Sequence, residues 1–264
     1  MKNSLVVGCG GTGSEIIKLL KLMNVNITCI DYDKVELTNL NRQFYFIKSD
    51  FNKYKAEIVA KKIGCNYRNV NLMDIKIDYL NQFDVIFSCL DSIGARMELN
   101  YRFKQSKCKK LVDLGVEKLT SHIKIITDDK ACLYCMKDIF NINEPYNSCT
   151  FMNIKTKIDR FNREKYLISL IALKGNDFKE IVKKFNNKVN DEKLKTNLLE
   201  VETIFHNITP NISTINSITA SLAIHLSLNE DKNDLITFWG KTFTIYKTHL
   251  NKDEDCFVCL NKTD

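Results

Sequence analysis

The chain has 264 residues, enough for one hydrophobic core of ordinary size and a small additional lobe. Its apolar runs stay short of the roughly 18 residues that a membrane helix needs, and its N-terminus lacks the long apolar segment of a signal peptide. The net charge of +7 comes from lysines spread along the chain, which indicates a solvated surface and argues against nucleic-acid binding. We therefore expect a cytoplasmic or nuclear protein that binds neither a membrane nor nucleic acid.

Short apolar runs alternate with helical patterns through the first third of the sequence. This alternation is typical of βαβ units and predicts a Rossmann-like α/β fold with a doubly wound, mostly parallel sheet. The predicted strands are Ser4–Val7, Asn26–Ile30, Asp84–Ser88 and Lys110–Leu114, and the predicted helices are Thr12–Met23, Lys55–Ile63 and Ile93–Lys104. Alternating residues over Ser121–Thr127 predict an antiparallel strand at the edge of this sheet.

The pattern changes near residue 131 and returns to that of a sheet domain after Pro210. A lysine- and asparagine-rich stretch with helical spacing, Asn153–Val201, predicts a small helical insertion. Ser213–Leu228 is predicted to form a helix that packs on the sheet through a stripe made of Ile215, Ile218, Leu222 and Leu226. Leu235–Trp239 and Thr242–Lys247 are predicted to form a closing hairpin. We expect a core domain of residues 1–150 and 202–264, with the insertion at 151–201.

A glycine-rich turn follows the first predicted strand and opens the first predicted helix. Its glycines are Gly8, Gly10, Gly11 and Gly13, in the G-x-G-x-x-G pattern that brings phosphates close to the backbone at a helix N-terminus. Asp31 ends the next strand, where a Rossmann fold places a ribose-binding carboxylate. These residues alone indicate a nucleotide site, and an NAD-dependent dehydrogenase would fit them equally well.

Polar and basic residues behind Asp31 favour a nucleotide whose phosphates react. Asn39, Arg42 and Lys55 supply fixed donors of the kind that stabilise charge on phosphates as a phosphoanhydride bond breaks. Asp91 ends a further strand and could hold Mg²⁺. Each residue also has an ordinary explanation: Asn39 as a turn former, Arg42 and Lys55 as surface charges, Asp91 as a helix cap. Their joint occurrence in this order favours an ATP site.

Four of the ten cysteines form two C-x-x-C pairs far apart in the sequence, Cys132 with Cys135 and Cys256 with Cys259. Two such pairs can complete a closed structural Zn²⁺ site, and a redox pair is the alternative. Of the remaining cysteines, Cys149 follows a loop signal and precedes Thr150. A single Cys-Thr pair is by itself weak evidence for a nucleophile.

The nucleotide-site residues together resemble the adenylation domain of ubiquitin-activating enzymes, which bacterial ThiF and MoeB adenylyltransferases share. The resemblance lies in Gly8–Gly13, Asp31, Asn39–Phe44, Lys55, Leu90–Ser92 and Ala95-Arg96. It implies that Asp31 holds the ribose of ATP and that Asn39, Arg42 and Lys55 hold the phosphates. It further implies that Asp91 serves Mg²⁺ and the reacting carboxylate, with Asp33 and Gln43 also in the nucleotide site.

The same resemblance gives Cys149 a role, because the catalytic cysteine of eukaryotic activating enzymes lies in a Cys-Thr pair shortly after the first zinc pair. The spacing of thirteen residues between Cys135 and Cys149 is most similar to catalytic subunits that activate the cullin modifier (neddylation), and next to those that activate SUMO. It implies two reactions, adenylation of a ubiquitin-like modifier and then a thioester on Cys149. It also implies two protein partners, a second adenylation-domain-like regulatory subunit in a heterodimer and a conjugating enzyme.

Several features depart from the family pattern. Asn52-Lys53-Tyr54 stands where the family often has Gly-x-Pro, and the usual proline and His-Cys do not follow Met152. Because the sequence stops five residues after Cys259, we expect no C-terminal ubiquitin-fold domain in it, and the helix before the first strand is also missing.

Three other functions stay open on the sequence. A ThiF/MoeB-type adenylyltransferase for a sulfur-carrier protein would share the nucleotide site and the zinc pairs but need no Cys149. A degenerate partner subunit is disfavoured because Arg42, Lys55 and Asp91 are all present. A dehydrogenase would bind NAD and would have no use for these basic residues.

Overall fold

The structure is a computed structural model that describes residues 1–40, 42–139, 177–187, 195–196, 198, 201, 212–229 and 232–260. The chain divides into two compact units, of which the first contains residues 1–149 and 211–264 and the second residues 150–210. Among the described residues, no helix combines the length and the apolar character that crossing a membrane requires.

The first unit is built on one eight-stranded mixed sheet. Its order is β3-β2-β1-β4-β5-β6-β7-β8, with parallel pairing from β3 to β5 and antiparallel pairing from β5 to β8. This confirms the predicted α/β class. The strands are β1 Asn3–Val7, β2 Asn26–Ile30, β3 Asn66–Arg68, β4 Val85–Ser88, β5 Lys110–Glu117, β6 Thr120–Ile126, β7 Leu235–Trp239 and β8 Thr244–Thr248.

Helices pack on this sheet, and their ends follow local chemistry. Ser92 caps the helix after β4, since its Oγ accepts a bond of 3.3 Å from the Ala95 N–H. Gly64 ends the helix before β3 with φ of 72°, a left-handed C-cap that suits glycine. The described helices are α1 Gly11–Leu22, α2 Lys55–Ile63, α3 Ile93–Lys104, α4 Phe178–Asn186, α5 Ser213–Leu228 and α6 Phe257–Leu260.

The central strands are buried on both faces. All four residues of β4 are buried, and so are the last four of β1, because the helices of the βαβ units cover the sheet. This explains why these strands are nearly continuous apolar runs in the sequence rather than alternating ones.

One prediction about the later elements is wrong. The strand predicted at the edge, Ser121–Thr127, is the antiparallel strand β6, but it lies inside the sheet between β5 and β7. The true edge strands, β3 and β8, have mostly exposed side chains.

Helix α5 has the predicted bounds and packs on β5 and β6, as predicted. Of its predicted stripe, Ile215 and Leu226 are buried, and Ile218 and Leu222 are half-buried and pack against core residues. The buried face of α5 also contains small and polar residues that bring α1 close to it, namely Asn216, Thr219, Ala220 and Ala223.

Within the second unit, α4 is an amphipathic helix that buries Ile181 and Phe185. Asp177 caps its first turn, accepting a bond of 3.1 Å from the Glu180 N–H. At its end, Asn186 binds the backbone of Thr196 in both directions, donating at 2.9 Å and accepting at 2.8 Å. Within the predicted insertion, the structure describes only residues 177–187, 195–196, 198 and 201.

A fully buried ion pair ties β6 to the residue before β7. Lys124 and Asp234 are both fully buried and in direct contact. The second oxygen of Asp234 accepts the Leu250 N–H at 3.0 Å. Burial lowers the pKa of Lys124, and Asp234 opposes that effect. Each charge therefore depends on the other for its solvation inside the sheet.

We predict that Lys124→Ala destabilises the protein by about 3–5 kcal/mol, because it leaves the Asp234 carboxylate buried without its counter-charge. Urea denaturation measures the change in free energy of unfolding. The matched control is Lys61→Ala, which removes an exposed lysine paired with Glu57 on α2 and should leave stability nearly unchanged. Equal effects of the two substitutions would contradict this account of the pair.

Candidate nucleotide site

The glycine-rich turn lies where the strand order reverses. Strand β1 pairs with β2 on one side and with β4 on the other, which opens a crevice at the carboxyl ends of the strands. Gly8 has φ of +97°, and a Cβ there would lie 2.5 Å from the carbonyl oxygen of Cys89. Its N–H donates to the Ile30 carbonyl at 2.8 Å. Only glycine fits this position, which holds the turn between the ends of β2 and β4.

Asp31 connects the glycine-rich turn to the end of β2. One carboxylate oxygen accepts the Cys9 N–H at 2.7 Å, and the other accepts the Asp33 N–H at 2.8 Å. Burial raises the pKa of Asp31, while the nearby Lys55 ammonium and these hydrogen bonds act in the opposite direction. The carboxylate is therefore fixed in place beside the turn that the sequence assigns to the nucleotide.

Lys55, the first residue of α2, points into the same site. Its ammonium contacts the Asp33 carboxylate at 2.9 Å, and its backbone N–H donates to the Asp33 carbonyl at 2.9 Å. Burial alone would lower the pKa of Lys55, but Asp31 and Asp33 outweigh it and raise that pKa. The lysine is thus a buried, fully charged cation, and it is no ordinary surface residue.

The segment before Lys55 retains the backbone of the family pattern despite its different residues. Asn52, which replaces the frequent glycine, has φ of 64°, and asparagine tolerates that left-handed region better than most residues. Tyr54, which replaces the frequent proline, has φ of −65°, the angle that proline would fix. Asn52 and Tyr54 thus adopt backbone angles that the frequent glycine and proline would also allow.

Asn39, Arg42 and Gln43 lie on the turn that follows β2. The Asn39 side-chain oxygen accepts the Glu36 N–H at 3.0 Å, so that oxygen acts as the turn former. Arg42 is held by its own turn, donating to the Thr38 carbonyl at 2.7 Å. Gln43 is buried with its amide beside the glycine-rich turn, since a Cβ on Gly10 would lie 3.9 Å from its Nε2.

Asp91 is exposed at the end of β4, and Ser92, not Asp91, caps α3. Asp33 raises the pKa of Tyr32, with further contributions from burial, Asp91 and Asp31. Asp31, Asp33 and Asp91 therefore lie close enough to Tyr32 to act on its phenol. Direct hydrogen bonds bring together the glycine-rich turn, Asp31, Asp33 and Lys55. The role of these residues and of Asp91 in binding a nucleotide stays a prediction.

The sequence analysis did not predict Asp113 and His122, two members of a buried cluster next to β4. Arg96 is buried on α3 and binds Asp113 on β5, with Nε to Oδ1 at 3.0 Å, and a guanidinium nitrogen also contacts His122 Nε2. The ring of His122 packs against Gly115, where a Cβ would lie 2.2 Å from it. A polar residue inside an otherwise apolar strand was the available signal, since Asp113 lies within the run Lys110–Glu117.

A third missed residue is Asn216 on α5, which contacts the start of α1. Its side-chain oxygen accepts a bond of 3.2 Å from the Thr12 hydroxyl, and its side chain is fully buried. The signal in the sequence was a polar amide next to Ile215 in an otherwise apolar helix. Such a side chain is unfavourable in the core unless it has a hydrogen-bond partner.

The four C-x-x-C cysteines form one cluster, as predicted. Their sulfurs lie within 4.8 Å of one another, with Cys132 to Cys256 at 3.7 Å, Cys132 to Cys135 at 3.8 Å and Cys135 to Cys259 at 3.7 Å. Four thiolates about 2.3 Å from a central Zn²⁺ stand about 3.8 Å apart. The cluster therefore fits a tetrahedral metal ion. Cys149, the predicted nucleophile, lies outside the described residues.

The family comparison agrees with this geometry. The model of the ThiF family matches residues 2–258, and the chain therefore belongs to the ThiF family. This confirms the resemblance to the adenylation domains that ThiF, MoeB and the ubiquitin-activating enzymes share.

Curated relatives include NEDD8-activating enzyme E1 catalytic subunits. The one from Dictyostelium discoideum is 35% identical over an alignment 170 residues long, which covers 56% of this chain and 38% of that protein. The one from Saccharomyces cerevisiae is 28% identical, with 97% of both chains covered. A SUMO-activating enzyme subunit 2 from D. discoideum is 33% identical over 50% of this chain and 21% of that one. The chain thus spans well under half of the first relative and nearly all of the second.

Solved structures of E. coli MccB share the fold. MccB with MccA-N7isoASN superposes with a TM-score of 0.62 at 14% identity, covering 98% of this chain and 67% of that one. MccB with ATP gives a TM-score of 0.60 at 16% identity, covering 98% and 66%. At this level of identity the similarity concerns the fold.

We predict that His122 makes the protein less stable as the pH falls. Burial, together with Arg96, lowers the pKa of His122 to about 4, below the value of about 6.5 in the unfolded chain. Between these values the unfolded chain binds the extra proton, so stability falls by up to about 3 kcal/mol as pH drops from 6.5 to 4. Urea denaturation at several pH values measures the effect.

His122→Gln, which cannot titrate, should show a smaller loss of stability in this pH range. His225→Gln is the matched control, because His225 is exposed on α5, and it should keep the wild-type pH dependence. An unchanged pH dependence in His122→Gln would show that another group titrates there.

Proposed function

We propose that this chain is the catalytic, ATP-using subunit of an enzyme that activates a ubiquitin-like modifier. The observation that carries the proposal is the arrangement of Asp31, Asp33 and Lys55 around the glycine-rich turn, with a charged lysine at the N-terminus of α2. A dehydrogenase needs the turn and the ribose carboxylate but not this lysine. Attack on a phosphate does need it, because negative charge builds up on the phosphates as the bond breaks.

The proposed reaction has two steps. The carboxylate at the modifier's C-terminus attacks the α-phosphate of ATP, and the α–β phosphoanhydride bond breaks to give an acyl-adenylate and pyrophosphate. The thiolate of Cys149 then attacks the acyl carbon, and AMP leaves as a thioester forms. In this scheme Asp31 binds the ribose hydroxyls, while Lys55 and Arg42 bind the phosphates.

The remaining residues at the carboxyl ends of the strands have supporting roles in this scheme. Asp91 offers an exposed carboxylate after β4, the kind of oxygen ligand that Mg²⁺ takes, and the ion would neutralise phosphate charge when bound. Asn39 would donate to a phosphate through its amide nitrogen, because its oxygen already accepts a backbone N–H. Gln43 would bind through its amide beside Gly10.

The modifier we propose is the cullin modifier (neddylation). Support comes from relatives in several species that carry the name NEDD8-activating enzyme E1 catalytic subunit. The SUMO-activating subunit is the second candidate, supported by a relative of that name. A ThiF/MoeB-type adenylyltransferase for a sulfur carrier is the third, supported by the shared family domain.

The proposed partners are the modifier, a second adenylation-domain-like subunit and a conjugating enzyme. Several large apolar side chains of the segment between β2 and α2 are exposed, which is unusual for a surface that faces only water. These are Leu37, Phe44, Ile47, Phe51 and Tyr54. We assign this surface to the second subunit of a heterodimer, and we assign residues 151–201 to a reduced catalytic-cysteine insertion.

Thioester formation tests the proposed function. The protein, with its candidate partner subunit, is incubated with MgATP and with each of the cullin modifier, SUMO and ubiquitin, and then separated on gels with and without thiol. We predict an adduct with the cullin modifier that thiol removes. Cys149→Ala should lose the adduct and keep ATP–pyrophosphate exchange, whereas Lys55→Ala should lose both.

The other outcomes separate the candidates. An adduct with SUMO alone would replace the proposed modifier. Pyrophosphate exchange without any adduct, and no effect of Cys149→Ala, would favour the sulfur-carrier adenylyltransferase. Absence of exchange with every modifier would refute ATP-dependent activation.

We also propose that the four-cysteine cluster holds a structural Zn²⁺. The sulfur–sulfur distances match a tetrahedron of thiolates, and all four positions are taken by protein ligands, which leaves no open site for catalysis. The ion would attach α6 near the end of the chain to the segment after β6. Tyr134 and Phe257 pack edge to face beside it, with ring centroids 5.0 Å apart.

We predict about one zinc per chain in the purified protein, measured by elemental analysis, and a lower melting temperature after chelation, because the free energy of metal binding stabilises the fold. Cys132→Ser should lose the metal. The matched control is Cys108→Ser, at a buried cysteine outside the cluster, which should keep it. Protein that melts at the same temperature with and without metal would contradict a structural role.

A further inference from the structure

Asn216 stands out among the buried polar residues of α5 because it bonds to another helix. Thr219 and Ser227, the other buried polar side chains of α5, donate to carbonyls of their own helix, at Ile215 and Ile224, each at 2.7 Å. The Asn216 oxygen instead accepts from the Thr12 hydroxyl on α1 at 3.2 Å. Burying an amide costs free energy unless its polar atoms are hydrogen-bonded. We therefore expect the Asn216 side chain to have a specific role at this position.

The contact of Asn216 falls on the turn where phosphates are expected to bind. Helix α1 begins at Gly11, and Thr12 is its second residue. A Cβ on Gly11 would lie 2.4 Å from Asn216 Nδ2 and 3.1 Å from its Cγ, so the amide fills the space above Gly11. Asn216 therefore touches the first two residues of the helix whose N-terminal N–H groups would face the nucleotide.

We infer that Asn216 is a positioning residue that fixes the N-terminal turn of α1 for the phosphates of ATP. The inference rests on the proposed function, since it assumes that the turn binds ATP. Asn216 acts through Gly11 and Thr12. Its consequence is that ATP affinity depends on α5, a helix that follows the insertion in the sequence and supplies none of the residues assigned to the nucleotide.

The test compares Asn216→Ala with Thr219→Val by calorimetric titration with MgATP and by ATP–pyrophosphate exchange. Loss of the hydrogen bond and of the packing over Gly11 should weaken ATP binding about tenfold. KM for ATP should rise by a similar factor, with kcat changed less than about twofold. Thr219→Val, a buried change one turn along the same helix, should leave the affinity for ATP and the KM for ATP unchanged.

Thr12 gives an independent measurement if Asn216→Ala does not fold. Thr12→Val removes the hydroxyl at nearly constant shape and should weaken ATP binding, while Thr12→Ser keeps the hydroxyl and should recover most of the affinity. Equal affinities of the valine and serine variants would overturn the inference. So would an Asn216→Ala protein that melts at a lower temperature but binds ATP with the wild-type constant, because that pattern describes a purely structural residue.

Failure of the inference differs from failure of the proposed function. Wild-type protein that neither binds ATP nor exchanges pyrophosphate would remove the function, and the role of Asn216 with it. Wild-type protein that does both, with unchanged affinity in Asn216→Ala and Thr12→Val, would remove only the role of Asn216.

Discussion

The half-buried carboxylate of Asp31 is the group on which the rest of the candidate site depends. Removing a carboxylate from water is costly, and here the cost is partly offset by two backbone N–H groups and by the ammonium of Lys55. The first N–H belongs to the glycine-rich turn and the second to the segment leading to α2. One side chain therefore fixes the turn, the end of β2 and the lysine relative to one another, which is the preorganisation that phosphate chemistry requires.

The antiparallel half of the sheet contains charges of a different kind. The Arg96, Asp113 and His122 cluster and the Lys124–Asp234 pair are almost completely buried, and both involve β6. Such groups contribute little net stability compared with apolar residues, but a slip of β6 against β5 or β7 would leave charges of the cluster or of the pair uncompensated. Their arrangement therefore favours one register of β6 against its neighbouring strands. With β6 in that register, the chain passes from the parallel half of the sheet to the four-cysteine cluster.

Substitution of family residues can preserve geometry when the backbone angles are kept. Asn52 and Tyr54 replace a frequent glycine and proline, yet they adopt the left-handed angle and the φ of −65° that those residues would give. The position of Lys55 follows from these angles and from its backbone bond to Asp33.

Local signals in the sequence were sufficient for most helices and strands and for the clustering of the four cysteines. Strands β1, β2 and β4, the glycine-rich turn and the two C-x-x-C pairs are each encoded by a few neighbouring residues. Those residues by themselves restrict the backbone conformation or the kind of ligand that can bind. Only the tertiary structure decided that β6 lies inside the sheet, that Ser92 rather than Asp91 caps α3, and that Asn216 contacts Thr12 across 204 residues. The physical reason is that hydrophobic periodicity records whether a residue is buried but not which distant element covers it, and a buried polar side chain shows its partner only when the chain is folded.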